Sequence, residues 1–137
     1  MRILVFGTFD ALHPGHRFLL AEALKRGDLT VIVARDANVL RIKGRSPQQP
    51  EEERRAAVQE AFPAAEVILG DLEDFLVPVR AYKPDLILLG YDQELPPGVT
   101  MEDLPCPMER LSAHEPGKYK SSLMREPGTG NREQGTE

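Results

Sequence analysis

Short apolar runs alternate with mixed polar and apolar stretches from residue 3 to residue 89. Continuous apolar runs of this length are typical of strands that are buried on both faces of a parallel sheet. The residues that follow the first run are Gly7 and Thr8, which end it sharply. Strands of this kind are predicted at residues 3–6, 29–34, 67–69 and 86–89.

The stretches between these runs have the apolar spacing and the end signals of helices. Gly27 follows the first stretch, and Lys25 and Arg26 lie in its last turn, where cations favour the helix dipole. Pro50 opens the second stretch and is followed by three glutamates, which suit a first helical turn. Because strands and helices alternate, we predict an α/β fold with a parallel sheet and right-handed crossovers. The predicted helices span residues 16–26, 51–61 and 72–82, and residues 35–50 are predicted to form a loop.

The pattern weakens after residue 92. We predict one helical turn at residues 100–104, a fifth strand at 108–111 and a short helix that begins at 121. The last eleven residues, 127–137, are polar and glycine-rich and have nothing to bury, so we expect them to be disordered. The predicted organisation is therefore one domain over residues 1–126, followed by a tail.

Composition narrows the possible functions. With 137 residues, 41% hydrophobic and 28% charged, the chain is suited to one globular domain. The net charge of −5 argues against bulk nucleic-acid binding, which needs a basic face. The chain has no apolar stretch near the ~20 residues that cross a bilayer and no signal-peptide pattern, so we expect a cytoplasmic protein without a membrane partner. The single cysteine, Cys106, excludes an intramolecular disulfide.

The turn after the first predicted strand holds the strongest chemical signal. Two of the three histidines, His13 and His16, lie at the start of the first helix with Gly15 between them. Free backbone N–H groups and the positive end of the helix dipole make such a turn a natural phosphate site. Both imidazoles can donate hydrogen bonds to phosphate oxygens, which would stabilise the charge that grows when an α-phosphorus is attacked. Asp10 is interpreted as a helix-side cap or as a group that positions a neighbouring residue, and not as catalytic.

The segment Gly7–His16 resembles the signature of the cytidylyltransferase-like nucleotidyltransferases. Val33–Asp36, Lys83–Asp85 and Gly90–Gln93 are most similar to the archaeal FAD synthase branch of that superfamily. The resemblance implies a Rossmann-like three-layer sandwich with a five-stranded, mainly parallel sheet. It implies transfer of a nucleotide to a phosphorylated acceptor with release of pyrophosphate, preferably from ATP to FMN. Glycerol 3-phosphate with CTP is the alternative within the same chemistry, and an inactive nucleotide-binding module is the alternative outside it.

The resemblance also implies roles for individual residues. His13, His16 and Lys43 would be catalytic, and Arg54 would bind the acceptor's phosphate. A divalent cation, Mg²⁺, would accompany the triphosphate without dedicated protein ligands. Relatives in the superfamily are commonly dimers, so a homodimer is expected. The predicted nucleotide-binding residues are Gly7, Thr8, Phe9, Gly15, Asp92, Ser121 and Ser122.

Overall fold

The computed structural model describes residues 1–91 and 93–112. Five strands form one sheet in the order β3-β2-β1-β4-β5. β1 lies between β2 and β4 and is parallel to both, and β2 is parallel to β3. The strands are β1 (Arg2–Gly7), β2 (Asp28–Val33), β3 (Glu66–Leu69), β4 (Leu86–Leu89) and β5 (Met108–Arg110).

Four α-helices connect these strands, which confirms the Rossmann-like α/β prediction. The chain order reverses beside β1, and in open α/β sheets ligands bind beyond the carboxyl ends of the strands at such a point. A 3₁₀ turn at Met101–Asp103 precedes β5. The helices are α1 (Pro14–Arg26), α2 (Asp36–Lys43), α3 (Glu51–Ala61) and α4 (Leu76–Tyr82).

The core is built from the central strands and one face of each helix. In β1 and β2 the side chains from Ile3 to Val5 and from Leu29 to Val33 are buried, as expected for strands covered on both faces. Helix α1 buries Leu19, Leu20 and Ala23, and because Ala23 lies four and three positions after the two leucines, all three share one face of the helix. In the described part of the chain, no helix is long and apolar enough to cross a membrane.

Helix α2 corrects the prediction that residues 35–50 form a loop. The helix begins after Arg35 and ends at Gly44, whose left-handed backbone (φ 77°) lets its N–H bond the Leu40 carbonyl. Only Val39 is buried on this helix, so the apolar periodicity that marks a helix is nearly absent. The end signals were nonetheless present in the sequence, with Asp36 in the first turn and Lys43 before the glycine.

The segment before α4 is a second correction. The predicted helix started at residue 72, but α4 begins at Leu76. The Asp71 carboxylate accepts hydrogen bonds from the backbone N–H groups of Glu73 and Asp74, at 2.9 and 2.8 Å. This local side-chain capping competes with helical hydrogen bonding and turns the chain before the helix starts.

The chain divides into two compact units. One comprises Met1–Leu88 with Glu94–Glu109, and of the described residues the other comprises 89–91, 93 and 110–112. Within the first, Arg26 at the end of α1 makes two 3.0 Å hydrogen bonds to Glu109. Within the second, the Arg110 guanidinium donates to the Gln93 carbonyl at 2.6 Å. The predicted helix at residue 121 and the predicted tail lie outside the described residues.

Candidate active site

The turn after β1 carries the candidate chemistry and has an unusual backbone. Phe9 and Ala11 both adopt positive φ angles, 54° and 53°, which residues with a Cβ seldom do. The Phe9 side chain is 2% exposed and closes over Gly7, where an added Cβ would lie 3.0 Å from the Phe9 ring. The turn therefore folds its aromatic side chain into the core. Nucleotide binding by Gly7, Thr8 and Phe9 stays a prediction.

His13 and His16 cap helix α1 reciprocally. His13 Nδ1 accepts from the backbone N–H groups of Gly15 and His16, at 3.2 and 3.4 Å. His16 Nδ1 accepts from the backbone N–H of His13 at 3.3 Å. The two rings stack with their centroids 3.5 Å apart. Each neutral imidazole has one donor and one acceptor nitrogen, so acceptance at Nδ1 places the proton of both rings on Nε2.

These two Nε2–H groups are the donors that a phosphate site needs. Within the described residues, no hydrogen bond occupies either Nε2 atom. Gly15 gives the His13 ring room, because a Cβ at that position would lie 3.1 Å from His13 Cε1, a tighter contact than usual. The sequence pattern of two histidines around a glycine is thus explained by ring placement as well as by backbone geometry.

His16 is neutral over the physiological pH range. Burial is the main reason that its pKa falls from 6.5 to about 4, and the nearby charges of His13 and Lys43 lower it further. The Phe9 ring covers one side of the imidazole, with ring centroids 5.2 Å apart. A neutral ring acts as a hydrogen-bond donor without first gaining a proton.

The lowered pKa of His16 predicts a pH dependence of stability. Between pH 4 and 6.5 the unfolded chain binds a proton at His16 that the folded chain does not. The free energy of unfolding should therefore fall as the pH is lowered through this window. Above pH 6.5 the ring is neutral in both states, so the loss of stability caused by His16 should be absent there. Urea titrations at several pH values test this, with His16→Asn as the comparison. The variant should show a shallower slope, and an identical slope would contradict the assignment.

Lys43 ends helix α2 beside the same turn. Its ammonium group donates to Thr8 Oγ1 at 3.2 Å. The two residues are far apart in sequence, so α2 and its left-handed Gly44 cap place this cation at the site. The position suits a cation that would contact an anionic ligand, and its catalytic role stays a prediction.

Arg54 lies beneath the turn. Its side chain is 0% exposed, and its Nη2 bonds Asp36 Oδ1 at 2.6 Å. Nη1 donates to the Thr8 carbonyl at 2.7 Å, and Nε donates to the Gln49 carbonyl at 2.9 Å. The guanidinium has no face open to solvent in this conformation. Acceptor binding by Arg54 stays a prediction that would require Asp36 to move away.

Two residues that sequence reasoning did not select complete the site. Asp36 Oδ2 accepts from the Glu51 N–H, and Glu51 accepts from the Asp36 N–H, which joins the starts of α2 and α3. Gln49 Oε1 accepts from the Ala11 N–H at 3.0 Å. Asp36 ends the Val33–Asp36 segment that carries the family resemblance, but nothing in the sequence pairs it with Glu51 or pairs Gln49 with Ala11, because these partners are 15 and 38 positions apart.

Asp10 positions the segment that faces the turn. Its carboxylate accepts from the backbone N–H groups of Gln48 and Gln49, at 2.8 and 3.0 Å. Burial alone raises the pKa of Asp10, but these hydrogen bonds and the charges of Arg54 and Lys43 outweigh that effect, so the pKa is lowered overall. Asp10 is therefore an ionised structural acceptor, as its positioning interpretation expects.

The remaining predicted residues, Asp92, Ser121 and Ser122, lie outside the described residues, so their roles stay predictions. Among the residues that are described, no three His, Cys, Asp or Glu side chains are grouped so as to hold a metal ion. The Mg²⁺ prediction stays a prediction.

The chain is similar to several known proteins. A family model described as cytidylyltransferase-like matches residues 4–105. An FAD synthase of Methanospirillum hungatei is 43% identical over 128 residues, which cover 89% of this chain and 81% of the relative. An FAD synthase of Natronomonas pharaonis is 42% identical and is covered to 84%. The crystal structure of the lipopolysaccharide core biosynthesis protein from Thermoplasma volcanium has a TM-score of 0.72 and 34% identity, covering 84% of this chain and 98% of that chain.

Proposed function

Because the chain belongs to the cytidylyltransferase-like family, we propose that it is an FMN adenylyltransferase that joins FMN to ATP and releases pyrophosphate. The observation that carries the proposal is the pair of capped histidines, whose Nε2–H groups are both left as donors at the start of α1. Relatives named FAD synthase, at 42% to 50% identity, support FMN as the acceptor.

The reaction forms one bond and breaks one bond at the α-phosphorus of ATP. A phosphate oxygen of FMN attacks that phosphorus, and the bond to the bridging oxygen of the pyrophosphate breaks. His13 and His16 donate hydrogen bonds to the α-phosphate oxygens, whose charge grows in the transition state. Neither ring needs to gain or lose a proton. Both donors are fixed by backbone contacts before substrate binds, so little reorganisation is needed.

The pyrophosphate leaves with its charge balanced by cations. Lys43, which the structure holds at Thr8 Oγ1, would contact the departing phosphates. Mg²⁺ bound to the triphosphate would supply further charge neutralisation. Ser121, Ser122 and Asp92 remain proposed contacts to the nucleotide, and a homodimer remains the proposed assembly.

A coupled pyrophosphate-release assay tests the proposal. ATP and CTP are each combined with FMN, glycerol 3-phosphate or phosphopantetheine in the presence of Mg²⁺, and the flavin product is identified by chromatography. Release with ATP and FMN alone is the expected result. Release with CTP and glycerol 3-phosphate would support nucleotidyl transfer and would show that FMN and ATP are not the substrates. Nucleotide binding by calorimetry without release for any acceptor would favour an inactive binding module.

A further inference from the structure

The turn that carries the histidines needs support from outside itself. Phe9 and Ala11 have left-handed backbones without being glycine, and such conformations persist only where the surroundings hold them. Phe9 is fixed by its buried ring. Ala11 has only a methyl group, so its conformation has to be held through its backbone. Its N–H bonds a single side chain, that of Gln49.

Gln49 makes hydrogen bonds to two residues of this turn, Asp10 and Ala11. Its side-chain oxygen accepts from Ala11, and its backbone N–H donates to Asp10. Its carbonyl accepts from Arg54 Nε, and Arg54 also holds the Thr8 carbonyl. The backbone bonds form with any side chain at position 49. The bond to Ala11 is the one that depends on glutamine.

We propose that Gln49 is a positioning residue for the nucleotidyl transfer, acting through Ala11 on His13 and His16. The amide oxygen holds the Ala11 N–H at 3.0 Å, two residues before His13 caps the helix. Losing this acceptor leaves the left-handed Ala11 free to relax toward ordinary backbone angles. That relaxation turns the following residues and moves both Nε2–H donors away from the reacting phosphate. The inference rests on the proposed function.

The surroundings of Gln49 allow the side chain to be changed without overpacking the core. Gln49 is half-buried and lines a cleft of about 440 Å³ beside the turn. Ala11 and Leu12 of the turn and Ala57 and Ala61 of α3 also line this cleft. A leucine at position 49 has space in this cleft and offers the Ala11 N–H no acceptor.

The test compares Gln49→Leu with Gln48→Leu. Gln48 is the matched control, because its contact to Asp10 is made by its backbone N–H, which the substitution keeps. Gln49→Leu should lower kcat about fivefold to tenfold, as expected for one lost hydrogen bond that acts on the transition state. KM for ATP should stay within about twofold, because donors that act in the transition state affect kcat more than substrate binding. Gln48→Leu should match the wild type.

Rescue and a readout without substrate complete the test. Gln49→Glu keeps an acceptor oxygen on the same side-chain carbon, so its kcat should be close to that of the wild type and well above that of Gln49→Leu. Nitrogen NMR signals of the two imidazoles in the free protein should shift in Gln49→Leu and not in Gln48→Leu. This readout separates the inference from the proposed function, since it needs no turnover by the wild type. If Gln49→Leu fails to fold, Gln49→Ser, whose side chain is too short to reach Ala11, takes its place.

Unchanged imidazole signals in Gln49→Leu would overturn the inference, as would equal losses of kcat in the Gln48 and Gln49 variants. A shift of the signals with a wild type that makes no FAD would leave the positioning role in place and reject the proposed substrates.

Discussion

Replacing either histidine by asparagine is expected to abolish most turnover while leaving the fold intact. Asparagine carries a polar group near the place of Nδ1 and is among the best helix N-caps, so His13→Asn should keep the cap of α1. It has no group at the place of Nε2. Removing one preorganised donor of this kind costs about 10²–10³-fold in kcat. Steady-state kinetics with FMN and ATP, alongside thermal unfolding, measures both effects.

The alanine variants separate the two roles of the same ring. His13→Ala loses the donor and also the cap, and the loss of such a cap costs about 0.5–2 kcal/mol of stability. We expect His13→Ala and His13→Asn to be equally inactive and to differ in melting temperature. Full activity in the asparagine variant would show that the rings serve only as caps.

Arg54→Leu is expected to have the largest effect on stability. The substitution leaves the Thr8 and Gln49 carbonyls and the Asp36 carboxylate without the buried donor that they share. Removing one partner from such a buried charged cluster costs about 2–4 kcal/mol in the free energy of unfolding. Because the Thr8 carbonyl immediately precedes the strained Phe9, kcat should fall as well. Urea unfolding and the pyrophosphate assay measure the two consequences.

The neighbouring arginine supplies the control. Arg55 pairs with Glu52 on the exposed side of α3, where ion pairs contribute little. Arg55→Leu should change the free energy of unfolding by less than about 0.5 kcal/mol. Equal losses of stability for Arg54→Leu and Arg55→Leu would contradict the structural role of the buried cluster. An Arg54→Leu variant that is stable but has a raised KM for FMN alone would instead support the acceptor-binding prediction.

The two histidines serve the helix cap and the candidate chemistry with the same rings. The Nδ1 atoms satisfy backbone N–H groups that a helix start leaves unpaired, and this same bonding leaves the protons on the Nε2 atoms. The structural and the chemical requirement therefore select the same tautomer. The lowered pKa of His16 keeps its ring neutral, so the ring stays in this tautomer near neutral pH.

The sequence by itself determined the chain order of the five strands and of every α-helix except α2, and it singled out the turn that holds the candidate chemistry. Buried parallel strands are continuous apolar runs, and the glycine, proline and charged residues at helix ends are local signals, so both are visible in short windows. The His13–His16 turn is equally local, because its capping partners lie within three residues of each other. Helix α2 was not predicted, because it buries only Val39 and therefore lacks the apolar periodicity that marks a helix.

Only the tertiary structure decided what holds the turn in place. Gln49 reaches Ala11 across 38 positions of sequence, and Arg54 reaches Thr8 across 46. A hydrogen bond between residues that are far apart in sequence produces no periodic pattern in the sequence. The sequence likewise does not distinguish a buried arginine from an exposed one. Arg54 and Arg55 are adjacent in sequence and differ in environment, because successive side chains on a helix point about 100° apart. The full burial of one and the partial exposure of the other follow from how α3 meets the rest of the fold.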